Sequence, residues 1–199
     1  MISIYAKSVD GVWFGVVCED ERVFATSFAF DEKSVLKGLR DSFPLNIVLE
    51  RPNRVSGFAE RVIGVLKDVY NGKDVAGSVP LNLDRLSGYT KRVIEAVCMI
   101  PVGYVSSYGL VAKAVGGAPR AVGHAMATNP YAPLCPCHRV VGSDFGLCGY
   151  GGGLKVKLAF LKRERRGFVS ERDVAVGKGK LHVFPVERVL EKAERKGKR

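Results

Sequence analysis

The chain has 199 residues, of which 47% are hydrophobic and 26% charged, enough apolar material for a real core in one large domain or two small ones. No apolar run approaches the roughly 18 residues of a membrane span. The start, Met1-Ile2-Ser3-Ile4-Tyr5, lacks the charged segment and long apolar stretch of a secretory signal. These features exclude a membrane role and lead us to expect a cytoplasmic globular protein.

Charge is unevenly spread. Residues 1–85 hold 11 Lys/Arg against 12 Asp/Glu, residues 86–161 hold 7 against 2, and residues 162–199 hold 13 against 6. The whole formal excess of +11 therefore lies in the C-terminal part. A basic part beside a neutral one suggests a polyanionic partner, with a merely solvated basic surface as the bland alternative. The absence of glutamine and the many Lys, Arg and Glu side chains lean towards a thermophile source.

Residues 1–30 alternate in the strand manner (Ile2, Ile4, Val12, Phe14, Val16, Val23, Phe28, Phe30), with Asp10-Gly11 and Glu19-Asp20-Glu21 where turns belong, and read as an antiparallel meander. Asp31 is placed to cap a helix through Val35, Leu36 and Leu39, ending near Phe43-Pro44. A second helix over 54–70 carries Val55, Phe58, Val62, Val65, Leu66 and Val69 on one face. Asn71-Gly72-Lys73-Asp74 breaks it. We therefore expect an N-terminal α/β domain over 1–78 and a linker over 79–85.

Ser87 is placed to cap a helix over 88–99, buried through Val93, Ala96 and Val97. Two short helices over 107–115 and 119–127, joined by Gly116-Gly117-Ala118 with Pro119 in the first turn of the second, suggest a helix-turn-helix. Residues 128–136 read as a loop and 142–153 as a glycine-rich turn region. A helix over 154–164 should face inward through Leu154, Leu158 and Leu161, ending by Gly167. Short β-like runs fill 167–184, and Pro185 begins a final charged helix to about Arg195. Val183, Phe184, Val186, Val189 and Leu190 form an apolar face that would dock part of this tail. The rest of its charge would add non-specific DNA affinity.

The five cysteines are Cys18, Cys98, Cys135, Cys137 and Cys148, an odd number that argues against an obligate disulfide framework. Cys135-Pro136-Cys137-His138 has the wrong spacing for structural zinc, and no metal is expected. The run Pro136-Cys137-His138-Arg139-Val140 places a thiol next to an imidazole. A thiol reacts as its thiolate, and a neighbouring histidine is the usual means of making one near neutral pH. The run therefore suggests covalent chemistry on sulfur.

The set Ile100-Pro101-Val102-Gly103, Ser107-Tyr108-Gly109, Arg120-Ala121-Val122-Gly123, Asn129-Pro130, Pro136-Cys137-His138-Arg139-Val140-Val141, Tyr150-Gly151-Gly152-Gly153-Leu154 and Lys162-Arg163-Glu164 resembles the O6-alkylguanine-DNA alkyltransferases, in that family's order and near its spacing. The resemblance covers about 86–164, and the first 80 residues match only by pattern. It implies an α/β (α+β) fold, with an N-terminal ribonuclease-H-like mixed β-sheet domain and a mainly helical, winged-helix-like DNA-binding domain over 86–166. Residues 167–199 would be a basic extension.

The resemblance also implies direct-reversal DNA repair by a monomer acting on double-stranded DNA that contains O6-alkylguanine. The alkyl group would pass irreversibly to Cys137, once per molecule and without a cofactor. His138 would be the base, through a bridging water, and Glu164 would orient it. Tyr108 would donate a proton to the leaving purine, and Asn129 would tie the active-site turn to the helix-turn-helix. The backbone carbonyls of Cys137 and Val140 would read the guanine amino group, with Tyr150, Gly151 and Gly152 lining the pocket. Gly151 stands where many relatives carry serine. Arg120 would enter the duplex in place of the extruded base, with Ala118, Pro119 and Ala121 allowing close approach to a groove.

Without the resemblance, Glu164 reads as a surface glutamate, Tyr108 as a core tyrosine and Arg120 as an ordinary surface arginine. Rival functions are a non-catalytic alkylated-DNA-binding relative, a helix-turn-helix transcription regulator and a cysteine hydrolase. Few base-reading side chains over Ala118–Ala127 weigh against the regulator.

Overall fold

A computed structural model describes residues 1–43, 47–75 and 77–197. The fold is mixed α/β and divides into two units. Residues 1–69, 77–85 and 130–134 form the first, and residues 70–76, 86–129 and 135–199 the second. The expected linker 79–85 thus groups with the first unit and the expected extension 167–199 with the second.

The first unit is built on an antiparallel meander of β1 (Ser3–Val9), β2 (Val12–Glu19) and β3 (Arg22–Ala29), in that order. Asp10 (φ 52°) and Gly11 (φ 79°) make the first turn, Asp20 (φ 46°) and Glu21 (φ 59°) the second. Left-handed backbone at both central residues matches the twist of the flanking strands. The central strand β2 is buried over Phe14–Cys18 rather than alternating, as a strand covered on both faces must be.

Helix α1 (Glu32–Asp41) starts where Asp31 accepts from the Ser34 backbone N–H at 2.8 Å, as the sequence predicts. Of the expected stop at Phe43-Pro44, Pro44 lies outside the described residues. Any β-carbon at Gly15 would stand 2.7 Å from Leu39 Cδ1, so glycine lets this helix sit directly on the sheet. Ile4, Val17, Phe24, Ala25, Leu39 and Phe43 close the core. Helix α2 (Gly57–Tyr70) buries Ala59, Val62, Ile63, Leu66 and Val69, and exposed ion pairs from Glu60, Arg61 and Lys67 to Lys7, Glu21 and Asp10 tie it to the meander.

In the second unit, Ser87 caps α3 (Gly88–Cys98), and Ser107 both ends β4 (Tyr104–Ser107) and caps α4 (Tyr108–Val115). The glycine turn leads to α5 (Pro119–Ala127), with Pro119 at its first position as expected. A single 3₁₀ turn over Cys137–Arg139 precedes β5 (Val140–Val141), and α6 spans Leu154–Arg163. The chain ends with the hairpin β6 (Arg172–Val176) and β7 (Gly179–Pro185), then α7 (Glu187–Gly197).

The tail is part of the architecture. Strand β7 pairs with β4, giving a four-stranded sheet of order β5-β4-β7-β6. Val186, Val189 and Leu190 join Val105, Val141 and Leu161 in one buried cluster. The apolar face expected from Val183 to Leu190 therefore docks, although Phe184 is only partly buried.

Candidate active site

Two strand ends bring the chemistry together. β4 and β5 run parallel, with Ser106 opposite Val140 and Ser107 opposite Val141. Tyr108 leaves the end of one strand and Cys137 enters the start of the other. The 3₁₀ turn is tied by Cys137 N–H donating to Cys135 O at 2.8 Å and Arg139 N–H to Pro136 O at 2.8 Å. Asn129 Nδ2 donates to the same Cys135 carbonyl at 3.1 Å, and its side chain also reaches the Cys137 thiol. It thus joins the end of α5 to the turn that carries Cys137.

Helix α6 supplies the opposing wall. Lys157, Phe160, Leu161 and Glu164 recur at helical spacing and are all buried. Leu154 is 50% exposed, so the expected inward face of Leu154, Leu158 and Leu161 is rotated. The reason is polar. Lys157 Nζ donates to Val140 O at 2.7 Å and Leu147 O at 2.6 Å, while Glu164 meets both His138 and Arg139. A buried ammonium and a buried carboxylate with partners on one side fix the helix phase more strongly than an extra leucine does.

Glu164 is fully buried, not a surface residue. Its Oε1 lies 2.8 Å from His138 Nε2, and Arg139 donates through Nε to both carboxylate oxygens (3.2 and 2.9 Å) and through Nη2 to Oε1 at 2.8 Å. Burial alone would raise this carboxyl, but His138 and Arg139 more than offset it and hold it down at about 2. An ionised carboxylate only accepts. Nε2 therefore carries the imidazole proton and Nδ1 keeps its lone pair. That Nδ1 is buried with no partner among the described residues, as a base waiting for a proton requires. Burial pushes His138 down against the pull of Glu164, so the ring is neutral at pH 7. Phe160 stacks on it at 4.6 Å.

Burial also pushes the Cys137 thiol up, partly countered by Asn129, the charge of Lys157 and a hydrogen bond from Tyr150. The thiol is stored protonated, because a dry pocket penalises an isolated anion more than these neighbours stabilise it. Ionisation must accompany attack.

A cavity of about 550 Å³ opens on Cys137, within the range of small-ligand sites. Tyr108, Pro119, Arg120, Tyr150 and Gly151 line it, together with Gly123, Met126, Ala127, Cys148 and Gly149. Burial raises the Tyr108 phenol to about 12, so it enters any reaction with its proton. Ala118 and Ala121 are exposed at the start of α5 but do not line the cavity, nor do Val140 and Gly152. The Val140 carbonyl is engaged by Lys157.

Sequence reasoning missed Lys157, Arg139 as the clamp on Glu164, and the Tyr150 hydroxyl on the thiol. The only sequence signal for Lys157 is its spacing of seven from Glu164, two turns along one face. All five cysteines are free thiols, and no metal-binding cluster occurs among the described residues.

A buried thiol whose neighbouring histidine is paired with an ionised acid, on a cavity lined from α4 and α5, defines a cysteine-dependent protein. The comparisons make the class specific. Residues 88–166 match the family model "6-O-methylguanine DNA methyltransferase, DNA binding domain". A methylated-DNA–protein-cysteine methyltransferase from Thermococcus kodakarensis is 32% identical over 158 residues, covering 77% of this chain and 88% of that protein. One from Mycobacterium leprae is 49% identical over 79 residues, 39% of this chain, and the match spans about half (48%) of that relative's length. The crystal structure of Mycobacterium tuberculosis OGT in complex with DNA superposes with TM-score 0.65 at 29% identity, over 81% of this chain and 92% of that one. The chain belongs to the methylated-DNA–protein-cysteine methyltransferase family, direct-reversal DNA-repair proteins that move a methyl group from DNA to one of their own cysteines.

Proposed function

We propose that Cys137 accepts an alkyl group from O6 of guanine flipped out of double-stranded DNA. The observation that carries this is a protonated thiol on the cavity floor whose next residue, His138, is backed through Nε2 by ionised Glu164 and keeps Nδ1 without a partner among the described residues.

The thiol proton passes through a bridging water to His138 Nδ1 as Sγ attacks the alkyl carbon. The S–C bond forms, the C–O6 bond breaks, and its electron pair goes to the purine. Tyr108 returns a proton to the leaving guanine. Lys157 steadies charge at sulfur, Asn129 and Tyr150 hold the thiol, and Gly151 keeps the pocket wall open. The Cys137 carbonyl reads the exocyclic amino group, the Val140 carbonyl being taken by Lys157. Arg120, at the exposed start of α5 and on the cavity rim, fills the stack after the base leaves and offsets a few kcal/mol of unstacking. Ala118, Pro119 and Ala121 keep that helix end slim against a groove.

The thioether has no route back to thiol, so each molecule reacts once, and no cofactor or metal takes part. The protein acts as a cytoplasmic monomer. Its first unit corresponds to a ribonuclease-H-like domain and its second to a winged-helix-like one.

The test is intact-mass spectrometry after incubation with a duplex holding one O6-methylguanine. We expect a gain of one methyl group per protein, mapped to Cys137, and none in Cys137→Ser. A methyl on Cys135 or Cys148, or more than one equivalent repaired per protein, would overturn the assignment.

A further inference from the structure

The family match ends at residue 166, yet the sheet it contains is completed by the hairpin beyond it. The charges of that hairpin are sorted along its length. Near its open end, Glu171 pairs with Arg188 (2.7 Å), Asp173 with His182 (2.8 Å), and Arg172 stacks over Tyr104 (4.4 Å). At the tip, Gly177 turns the chain with φ 54°, and Lys178 and Lys180 are exposed with no ion pair among the described residues. The uncompensated positive charge is at the tip.

The tip is seated beside the helix-turn-helix. A β-carbon at Gly179 would stand 3.9 Å from the Ala114 carbonyl oxygen, in the last turn of α4. Ala175 to Gly179 face Ala114 and Val115, and Arg92 and Glu95 of α3, across a shared groove. Ala114 is four residues before Ala118, the cap of α5, so the part of α4 that the tip meets lies within roughly 14 Å of that helix start. Along a duplex, that distance carries about four phosphates on one strand. In helix-turn-helix docking the first helix crosses the backbone while the second enters a groove. The end of α4 is therefore where phosphates pass, and Lys113 and Arg120 are exposed on the same stretch with no ion pair among the described residues.

We infer that the β6–β7 hairpin is a wing whose tip lysines, Lys178 and Lys180, bind the phosphate backbone beside the site that the helix-turn-helix reads. This rests on the proposed duplex-DNA substrate and adds a contact that the matched region does not contain. Contacts of this kind position a protein without reading sequence and act by releasing counterions. Glu95 is the one acid lining the groove, and it lies on α3 rather than on the hairpin.

The test is fluorescence anisotropy of a labelled lesion-free duplex across a salt series, with the full chain and its Lys178→Gln/Lys180→Gln variant. The variant should bind more weakly at low salt, converge with the parent at high salt, and show a slope of log K against log salt smaller by about 1.8. Its melting temperature and its rate with free O6-benzylguanine should be unchanged. A control variant, Arg188→Gln/Lys192→Gln, removes two tail cations already paired with Glu171 and Asp144 and should leave the slope alone.

An unchanged slope in the tip variant, as a tip serving an acidic protein would give, overturns the inference. So does an equal flattening by the control, which would mean a diffuse field rather than a seated contact. If the parent itself neither binds duplex nor takes an alkyl group from an alkylated one, the substrate assignment fails instead.

Discussion

Glu164 caps the C-terminal end of α6, where the helix dipole disfavours an anion. It is ionised there because His138 and Arg139 both donate to it. Two predictions follow from this residue. First, Glu164→Gln and His138→Gln should each slow alkyl transfer by about two to four orders of magnitude, the range of one positioned acid–base group, and the double variant should be little worse than either single one. Stopped-flow transfer rates check this, and strictly additive losses would break the relay.

Second, Arg139→Met leaves a buried carboxylate short of its cation and should cost about 3–5 kcal/mol by urea unfolding. The acid limb tests the same pair. The Glu164 carboxyl lies at about 2 in the folded protein against 4.5 for the free group. Its contribution is therefore complete above pH 4.5 and is lost as pH falls from there towards 2. Glu164→Gln should flatten that limb of the stability curve.

At the scale of elements, α5 and the tail make separable predictions. Arg120 is exposed at the start of α5 and has no part in the His138 relay. Arg120→Ala should slow repair of a duplex lesion far more than reaction with free O6-benzylguanine, which has no stack to leave. Equal slowing would remove Arg120 from base extrusion. Truncation after Gly167 removes two strands of the second sheet and the Val186, Val189 and Leu190 part of its core. Burial of such side chains contributes about 1.5–3 kcal/mol each, so the truncated chain should melt well below the parent in calorimetry. The wing's charge and the tail's packing are thus different quantities. Substituting the tip lysines moves the salt slope alone, whereas truncation moves both.

At the scale of the molecule, the basic excess of residues 86–199 gives affinity without sequence preference. On the proposed reading, recognition of the lesion adds contacts to the base and none to further phosphates. Plots of log K against log salt for lesion-containing and lesion-free duplexes should therefore be parallel and offset, measured with Cys137→Ser so that no transfer occurs. A steeper line for the lesion would place an unrecognised phosphate contact in the flipped state.

The sequence by itself determined the elements whose signals are local. The Asp31 and Ser87 caps, the Asp10-Gly11 turn, Pro119 at a helix start and the Pro136-Cys137-His138 run are all contained within a few residues. The resemblance then supplied roles for Glu164, Tyr108 and Asn129, and the structure brings all three to the nucleophile's turn or cavity. Only tertiary structure decided the phase of α6, because Lys157 faces inward to meet carbonyls at Val140 and Leu147, 17 and 10 residues away. It decided that Arg139 clamps Glu164 rather than facing solvent, and that the thiol is protonated at rest, since desolvation depends on everything packed around a group. It also decided the fate of the tail. Strand partners between residues 104–105 and 184–185 cannot be read from either segment alone, since a strand's pattern gives its buried face and not its neighbour.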